Sequence, residues 1–193
     1  MPLAEYQTLT CKEKSHHTNE RFPMAIRTIL TYPDKFLRQT AKPVTVFNDE
    51  LQVLIDDMIE TMYDEPGVGL AAVQIGSDLS VIVYDVTQTE GERRAEALVN
   101  PKIVFREGSV LSENEGCLSV PDFRSDVKRD AHIRVEGLDR HGNPVDIDAD
   151  EFLAIVLQHE IDHLNGVLFI DRISSLKREM YKRKRKKQLR QQA

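Results

Sequence analysis

The sequence predicts an α+β fold in which small antiparallel β-sheets pack around a central buried helix, with a further helix at the C-terminus. Strand-like segments follow one another through the middle of the chain, while helical patterns lie before and after them instead of alternating with them. The helix predicted at 150–164 contains six consecutive apolar residues, at 152–157, which is typical of a helix buried on all sides.

A first helix is predicted at about residues 49–64. Asn48 or Asp49 can cap its start, and Pro66 and Gly67 end it. Its apolar residues recur at helical spacing and so predict one buried face. They are Leu51, Leu54, Ile55, Met58, Ile59 and Met62.

Strands are expected in the region between the two helices. The alternating or continuous apolar patterns that predict them lie at 79–86, 97–104, 109–113, 131–138 and 144–148. Residues 139–143 read DRHGN, which is turn chemistry, so the last two strands are expected to pair as a hairpin. The second helix follows at 150–164, with Asp148 or Asp150 near its start and Gly166 just beyond its end.

Length and composition indicate a soluble intracellular protein. The chain has 193 residues, 40% of them apolar, which is enough for one domain with a real core. No window approaches the roughly 18–20 uninterrupted apolar residues of a membrane span, so no membrane association is expected. Cys11 and Cys117 cannot form a disulfide framework, and no secretory signal precedes them. We therefore expect the protein in a reducing cytoplasm.

The two ends of the chain differ in character from its middle. Residues 1–23 are polar and lack periodicity, so we expect a flexible N-terminal arm before a compact domain at 24–172. Residues 172–193 carry a net charge of +9, against −15 for the rest of the chain. We expect a basic C-terminal helix or tail at 173–193, either as a solvated helix or as a contact to a polyanion.

The second helix carries the sequence His159-Glu160-Ile161-Asp162-His163, an H-E-x-x-H pattern. The spacing of four residues places both imidazoles on one face, one turn apart, where they can reach one metal ion. Glu160 lies about 100° round the helix from His159, within reach of a reacting water. Two core histidines are the alternative, but burying them beside two acids would be costly without a partner.

The third metal ligand is expected to be Cys117. Catalytic metal sites usually have three protein ligands and an open position, and no histidine follows His163. Cys117 lies in Glu115-Gly116-Cys117-Leu118-Ser119, where the glycine lets other backbone approach. Its thiolate suits soft or borderline divalent metals. A lone cysteine would more often be a small core residue, but the incomplete ligand set favours the metal.

A third segment, GVGLAAVQ at 67–74, has two glycines that suggest a close approach to the backbone. Together, GVGLAAVQ, EGCLS and QHEIDH resemble, in this order, the three signature motifs of the bacterial peptide deformylases. That family removes the formyl group from N-terminal formylmethionine in newly made proteins. The resemblance covers about residues 24–172 and predicts that this segment is the catalytic domain.

The resemblance implies one divalent metal ion held by Cys117, His159 and His163, with Fe²⁺ favoured in the cell and Zn²⁺, Ni²⁺ or Co²⁺ also accepted by such ligands. It assigns proton transfer to Glu160. It assigns stabilisation of the oxyanion to the Gln74 side-chain amide and the Leu118 backbone N–H.

The substrate is then the N-formylmethionyl end of a nascent peptide, whose backbone needs partners and whose methionine needs an apolar slot. Arg124 and Glu115 match positions that the family keeps near the site, and Asp162 is expected to orient ligands or cap nearby backbone. The residues expected to contact the peptide are Gly67, Val68, Gly69, Gly116, Arg124, Phe152, Ile155 and Val156.

Two other functions share some of these features. A zinc endopeptidase of the H-E-x-x-H kind would have the same helix but a third ligand after it. A non-catalytic binding module stabilised by a metal would have four protein ligands and no general base.

Because newly made chains leave the ribosome, a helix at 174–190 is expected to contact ribosomal RNA, with Ser174 or Ser175 as its cap. Three apolar residues are expected on one side of it: Leu176, Met180 and Tyr181.

Overall fold

The computed structural model describes residues 25–87 and 92–192, so the predicted arm at 1–23 lies outside the described residues. The helices are α1 (Asp49–Asp64), α2 (Glu151–Leu164) and α3 (Ser175–Gln192), with short 3₁₀ helices at Lys35–Arg38, Ala72–Ile75 and Phe169–Asp171. The strands are β1 (Gly69–Ala71), β2 (Val81–Tyr84), β3 (Glu96–Glu107), β4 (Val110–Cys117), β5 (Val120–Arg129), β6 (His132–Leu138) and β7 (Pro144–Asp150). None of the described helices has the length and apolar character needed to cross a membrane.

The strands form two antiparallel sheets. Five of them pair in the order β1-β2-β3-β6-β7, and β4 pairs with β5 in a separate two-stranded sheet. The β6–β7 hairpin closes with Leu138 opposite Pro144, as the turn sequence between them predicts. The α+β class with small antiparallel sheets and a C-terminal helix is therefore confirmed.

The five-stranded sheet lies between α1 and α2, and alternation along its strands divides the core in two. Ile82 and Tyr84 of β2 face the core that contains α2. Val81 and Val83 of the same strand face the core that contains α1. This division follows from the period of two along a strand, which sends successive side chains to opposite faces.

Helix α1 matches its predicted bounds, and the Asn48 side chain caps it by accepting a hydrogen bond from the Leu51 N–H at 3.1 Å.

Helix α2 is fully buried only from Val156 onward. Its first apolar residue, Phe152, is 51% exposed, which corrects the expectation that the apolar run is buried on all sides. The reason is that Phe152 lies at the mouth of a pocket.

Strand β5 was not predicted, and β4 is longer than the predicted strand at 109–113. The inward positions of β5 include Ser125 and Arg129, which are buried although they are polar. These two residues break the apolar alternation by which a strand is recognised in a sequence. The carboxylates that make the burial of Arg129 possible, Glu115 and Asp162, belong to β4 and α2.

Helix α3 begins as expected, with the Ser174 hydroxyl accepting a hydrogen bond from the Lys177 N–H at 3.4 Å. The expectation that its three apolar residues share one side is wrong. Leu176 and Met180 are 71% and 63% exposed, whereas Tyr181 is 2% exposed. Because each residue turns the helix by about 100°, Tyr181 faces the body of the protein while Leu176 and Met180 face away.

Candidate metal centre

Three side chains from two elements converge at the centre of the fold. The ligand atoms of Cys117, His159 and His163 all lie within 4.8 Å of one another. The two imidazoles project from adjacent turns of α2 with their ring centroids 5.0 Å apart, and Cys117 Sγ lies 3.1 Å from His163 Nε2. These are the three residues that the sequence motifs predict as metal ligands, and the described residues offer no other group of this kind.

The turn between β4 and β5 places Cys117. Strand β4 ends at Cys117, which lies opposite Val120, so Leu118 and Ser119 form the link to β5. The Ser119 carbonyl accepts a hydrogen bond from the Tyr32 N–H at 2.8 Å, which holds this turn from behind. The pairing with β5 and the hydrogen bond from Tyr32 thus hold the turn that carries Cys117 and Leu118.

Glu115 orients the first histidine. Its Oε1 lies 2.8 Å from His159 Nδ1, which leaves the Nε2 of that ring to face the cluster. Arg129 donates two further hydrogen bonds to the same carboxylate, at 2.6 and 3.2 Å. Burial alone would raise the pKa of Glu115, but the hydrogen bonds from His159 and Arg129 outweigh it and lower the pKa to about 2. Glu115 is therefore a charged carboxylate, and both of its oxygens accept hydrogen bonds.

Arg129 also binds Asp162 of α2, at 2.6 Å, and Arg172 donates to both oxygens of the same carboxylate. Asp162 thus holds α2 in place through two arginines. Among the described residues, its side chain has no recorded contact with Cys117, His159 or His163. Sequence reasoning missed Arg129 altogether and counted Arg172 only as part of the basic tail. The only indication in the sequence is that Arg129 falls on the inward side of β5, and this is apparent only once that strand has been recognised.

The cluster fits a divalent metal cation. Burial lowers the pKa of His159, yet Cys117, Glu115 and Glu160 raise it well above its usual value, so the surrounding charge favours a cation at this point. Burial and the neighbouring cations lower the pKa of His163 well below its usual value, which gives the neutral imidazole that binds metals. One thiolate and two imidazoles are ligands for Fe²⁺, Zn²⁺, Ni²⁺ and Co²⁺.

Glu160 lies beside the ligands but contributes none of the three ligand atoms. It is 4% exposed, and its Oε2 has no hydrogen-bond partner among the described residues. A Cβ at Gly69 would lie 2.6 Å from Glu160 Oε1, so only glycine leaves room for this carboxylate. Burial raises the pKa of Glu160 to about 7. A buried, unpartnered carboxylate at a metal cluster suits proton transfer.

The side chain of Gln74 reaches the same cluster from the 3₁₀ helix Ala72–Ile75. Its Oε1 accepts a hydrogen bond from the Ala71 N–H at 2.8 Å, which sets the orientation of the amide. Its Nε2 then lies 3.1 Å from Ser119 Oγ and 3.8 Å from Cys117 Sγ. The amide nitrogen therefore donates to Ser119 and also lies beside Cys117 of the metal cluster, where an oxyanion would need a donor.

A pocket of about 820 Å³ opens over the cluster. Gln74, Leu118, Cys117, His159 and Glu160 line it, whereas His163 lies deeper and does not. Every residue expected to contact the peptide also lines it: Gly67, Val68, Gly69, Gly116, Arg124, Phe152, Ile155 and Val156. A Cβ at Gly116 would lie 3.1 Å from Arg124 Cζ, so the arginine side chain lies against this glycine of β4.

The sequence motifs did not identify the outer rim of this pocket. It is formed mainly by the two strands of the β4–β5 sheet, outside the EGCLS motif. These residues are Ser112, Glu113, Asn114, Val120, Pro121, Asp122 and Phe123. They carry no recognisable pattern, because they are brought to the pocket only by the pairing of β4 with the unpredicted β5.

Comparison with known proteins gives one consistent family. The family model described as polypeptide deformylase matches residues 26–179. A peptide deformylase of Desulfosudis oleivorans is 53% identical over 168 residues, which are 87% of this chain and 97% of the relative. A crystal structure of the peptide deformylase from Ehrlichia chaffeensis in complex with actinonin has a similar fold, with a TM-score of 0.80. The two chains are 40% identical, over 86% of this chain and 98% of that one.

The peptide deformylase of Legionella pneumophila has a similar structure, with a TM-score of 0.80 and 49% identity over 87% of this chain and 98% of that chain. Both the sequence and the fold therefore match nearly the full length of these relatives. The chain belongs to the peptide deformylase family, the metal-dependent hydrolases that remove the N-formyl group from nascent polypeptides.

Proposed function

We propose that Cys117, His159 and His163 hold the metal ion of this deformylase and that Glu160 transfers the proton during hydrolysis. The observation that carries the proposal is the convergence of these three ligands beside a buried carboxylate with an unpartnered oxygen. A divalent metal ion in this site supplies Lewis acidity, which lowers the pKa of water towards neutrality and polarises the formyl carbonyl.

Glu160 takes a proton from the attacking water and returns it to the leaving amine, so that formate and a free N-terminus are released. The position above Gly69 supports this role, because backbone without a side chain leaves the carboxylate next to the ligands. The Gln74 amide and the Leu118 backbone N–H donate hydrogen bonds to the oxyanion. In this kind of site one such donor is worth about 2.7–4 kcal/mol.

The peptide lies between two strand edges in this proposal. Strand β1 is at the edge of the five-stranded sheet, and the segment Gly67-Val68-Gly69 that leads into it lines the pocket. Gly116 of β4, in the other sheet, lines the same pocket. A peptide that pairs with such edges gains backbone hydrogen bonds whatever its sequence.

The methionine side chain occupies the apolar part of the pocket along α2. Phe152, Ile155 and Val156 lie on successive turns of this helix and line the same pocket. An apolar slot of this kind favours an apolar side chain through burial, at about 25 cal/mol per Å². Arg124 lies across Gly116 at the rim and interacts with the peptide beyond the methionine.

The metal in the cell is proposed to be Fe²⁺, on the strength of the family resemblance and of a ligand set that accepts it. Anaerobic purification followed by metal analysis, with formate release measured per metal bound, tests this identity. Activity that follows zinc content but not iron content would contradict it.

The ligand assignment is tested by Cys117→Ala, with Cys11→Ala as the control. We expect Cys117→Ala to lose both bound metal and formate release from a formyl-Met tripeptide, because a thiolate ligand is removed. The chain's other cysteine, Cys11, lies outside the described residues, and its substitution should change neither quantity. Equal metal content in the two variants would overturn the assignment.

We also propose that the basic tail at 173–193 contacts ribosomal RNA in the cytoplasm, next to emerging peptides. Arg183, Lys186, Lys187 and Arg190 of α3 are exposed and support this contact. Other basic groups that were expected to face a partner bind the body of the protein instead: Arg172 binds Asp162, Lys184 binds the Asp122 carbonyl and Arg185 binds the Tyr32 carbonyl.

A further inference from the structure

The inner face of α3 contacts the rim of the substrate pocket. Tyr181 is 2% exposed, and its ring centroid lies 4.8 Å from that of Phe123, which lines the pocket. From the next turns of the helix, Lys184 donates to the Asp122 carbonyl at 3.2 Å and Gln188 donates to the Asp122 carboxylate at 3.3 Å. Asp122 lines the same pocket.

A second set of contacts links α3 to the turn that precedes β5. Arg185 donates to the Tyr32 carbonyl at 2.9 Å and to the Thr31 hydroxyl at 3.0 Å. The Tyr32 N–H in turn donates to the Ser119 carbonyl in the turn that follows Cys117. Helix α3 therefore supports both the rim of the pocket and, through one intermediate segment, the turn that carries Leu118.

The rim needs such support. Asp122 has a φ of 59°, in the left-handed region that a non-glycine residue adopts only at some cost unless its surroundings hold it there. Strand β5 pairs only with β4 in a two-stranded sheet, and two strands alone are marginally stable. Without the ring of Tyr181 behind Phe123, this part of the sheet has fewer contacts that favour the observed conformation.

We propose that Tyr181, Lys184 and Gln188 are positioning residues for deformylation. They hold Asp122 and Phe123 at the rim in the conformation that accepts the peptide. The helix then has two separate faces, an inner face that shapes the pocket and an outer basic face. The inference rests on the proposed binding of the peptide in this pocket.

The expected effect is on peptide affinity and not on the chemical step. If only a fraction of the molecules has the competent rim, the apparent affinity falls by that fraction, while a bound peptide still meets an intact ligand cluster. The Tyr181 hydroxyl has no hydrogen-bond partner among the described residues, so the ring and not the hydroxyl carries the effect.

The test compares Tyr181→Ala with Met180→Ala, its exposed neighbour on the same helix. For a formyl-Met tripeptide, we expect Tyr181→Ala to raise KM about fivefold, as the loss of about one ordinary contact would, with kcat and metal per chain unchanged. Met180→Ala should have the KM and kcat of the unaltered chain. Tyr181→Phe, which keeps the ring, should have a KM close to that of the unaltered chain.

If Tyr181→Ala does not fold, the double substitution of Lys184→Ala and Gln188→Ala decides, with an expected rise in KM of about twofold. An unchanged KM in a folded variant with a lower Tm would overturn the inference, because the contact would then be structural only. A fall in kcat that follows metal loss would also overturn it. Absence of formate release by the unaltered chain would instead contradict the proposed function.

Discussion

Glycine at position 69 is required by the carboxylate that lies against it. A methyl group there would lie 2.6 Å from Glu160 Oε1, closer than any real contact allows, so Glu160 has to move. At Gly67 the same group would lie 3.1 Å from the flexible end of Leu118 and 3.4 Å from the backbone oxygens of Gly69 and Met62, which is close to ordinary contact. The two glycines of one motif therefore differ in what they make room for.

We expect Gly69→Ala to lower kcat for a formyl-Met tripeptide by at least about tenfold while the metal is retained, because misplacement of a catalytic group by about 1 Å can cost up to about a hundredfold. Gly67→Ala is the matched comparison and should lower kcat much less; because Gly67 lines the peptide pocket, its effect is expected on KM. Steady-state kinetics with metal analysis of both variants checks this. Equal kcat values for the two would show that Glu160 does not need the space above Gly69.

The interactions of single residues were predictable only where a motif carries them. The spacing in His159-Glu160-Ile161-Asp162-His163 predicts two imidazoles on one face of a helix, and α2 has them there. That Glu115 binds His159 Nδ1 depends on the distance between β4 and α2, which no local pattern contains. The partner of Gln74 that orients its amide, the Ala71 N–H, is likewise visible only in the fold.

Among the elements, those with a strong periodicity agree with the sequence. Helix α1 has its predicted bounds, and α2 begins one residue later than predicted. Strand β1 has only three residues, so its alternation is too short to be recognised. Strand β5 was missed because Arg129 faces inward, and burial of an arginine requires partners that come from β4 and α2.

Arg129 joins these elements, and its removal should destabilise the fold. It is 3% exposed and binds both Glu115 and Asp162, so its loss would leave two buried carboxylates without this partner. We expect Arg129→Met to lower the free energy of unfolding by about 3–5 kcal/mol, as breaking a buried ion pair does. Urea unfolding monitored by circular dichroism measures it.

Arg134 provides the control for this prediction. Its side chain is 52% exposed, and its Nε lies 3.9 Å from the nearest oxygen of Asp146. Arg134→Met should therefore cost less than about 1 kcal/mol, as for other surface ion pairs. A similar loss of stability in both variants would mean that the buried network does not hold β4, β5 and α2 together.

Over the whole molecule, charge is divided between an acidic body and a basic end. The segment 172–193 has a net charge of +9, and the rest of the chain has −15. The sequence predicts this asymmetry in full. It does not predict which basic groups bind the body, because that depends on the side of α3 that Tyr181 turns inward.

This division predicts a salt-dependent contact to ribosomes through the outer face of α3. Changing Arg183, Lys186, Lys187 and Arg190 to Gln should weaken co-sedimentation with ribosomes at low salt, because fewer counterions are released on binding. Turnover of a free formyl-Met tripeptide serves as the control and should stay near that of the unaltered chain. Unaltered co-sedimentation of the variant would rule out this surface as the contact.

The proton-transfer role of Glu160 is tested most directly by one comparison, of Glu160→Gln with Glu136→Gln, an exposed glutamate on β6. For each variant, formate release and bound metal are measured on the same preparation. We expect Glu160→Gln to bind metal as the unaltered chain does but to lose at least about a hundredfold in kcat, since general acid–base catalysis contributes about 10²–10⁴-fold. Glu136→Gln should be unchanged in both. Near-normal turnover by metal-loaded Glu160→Gln would contradict the proposed mechanism.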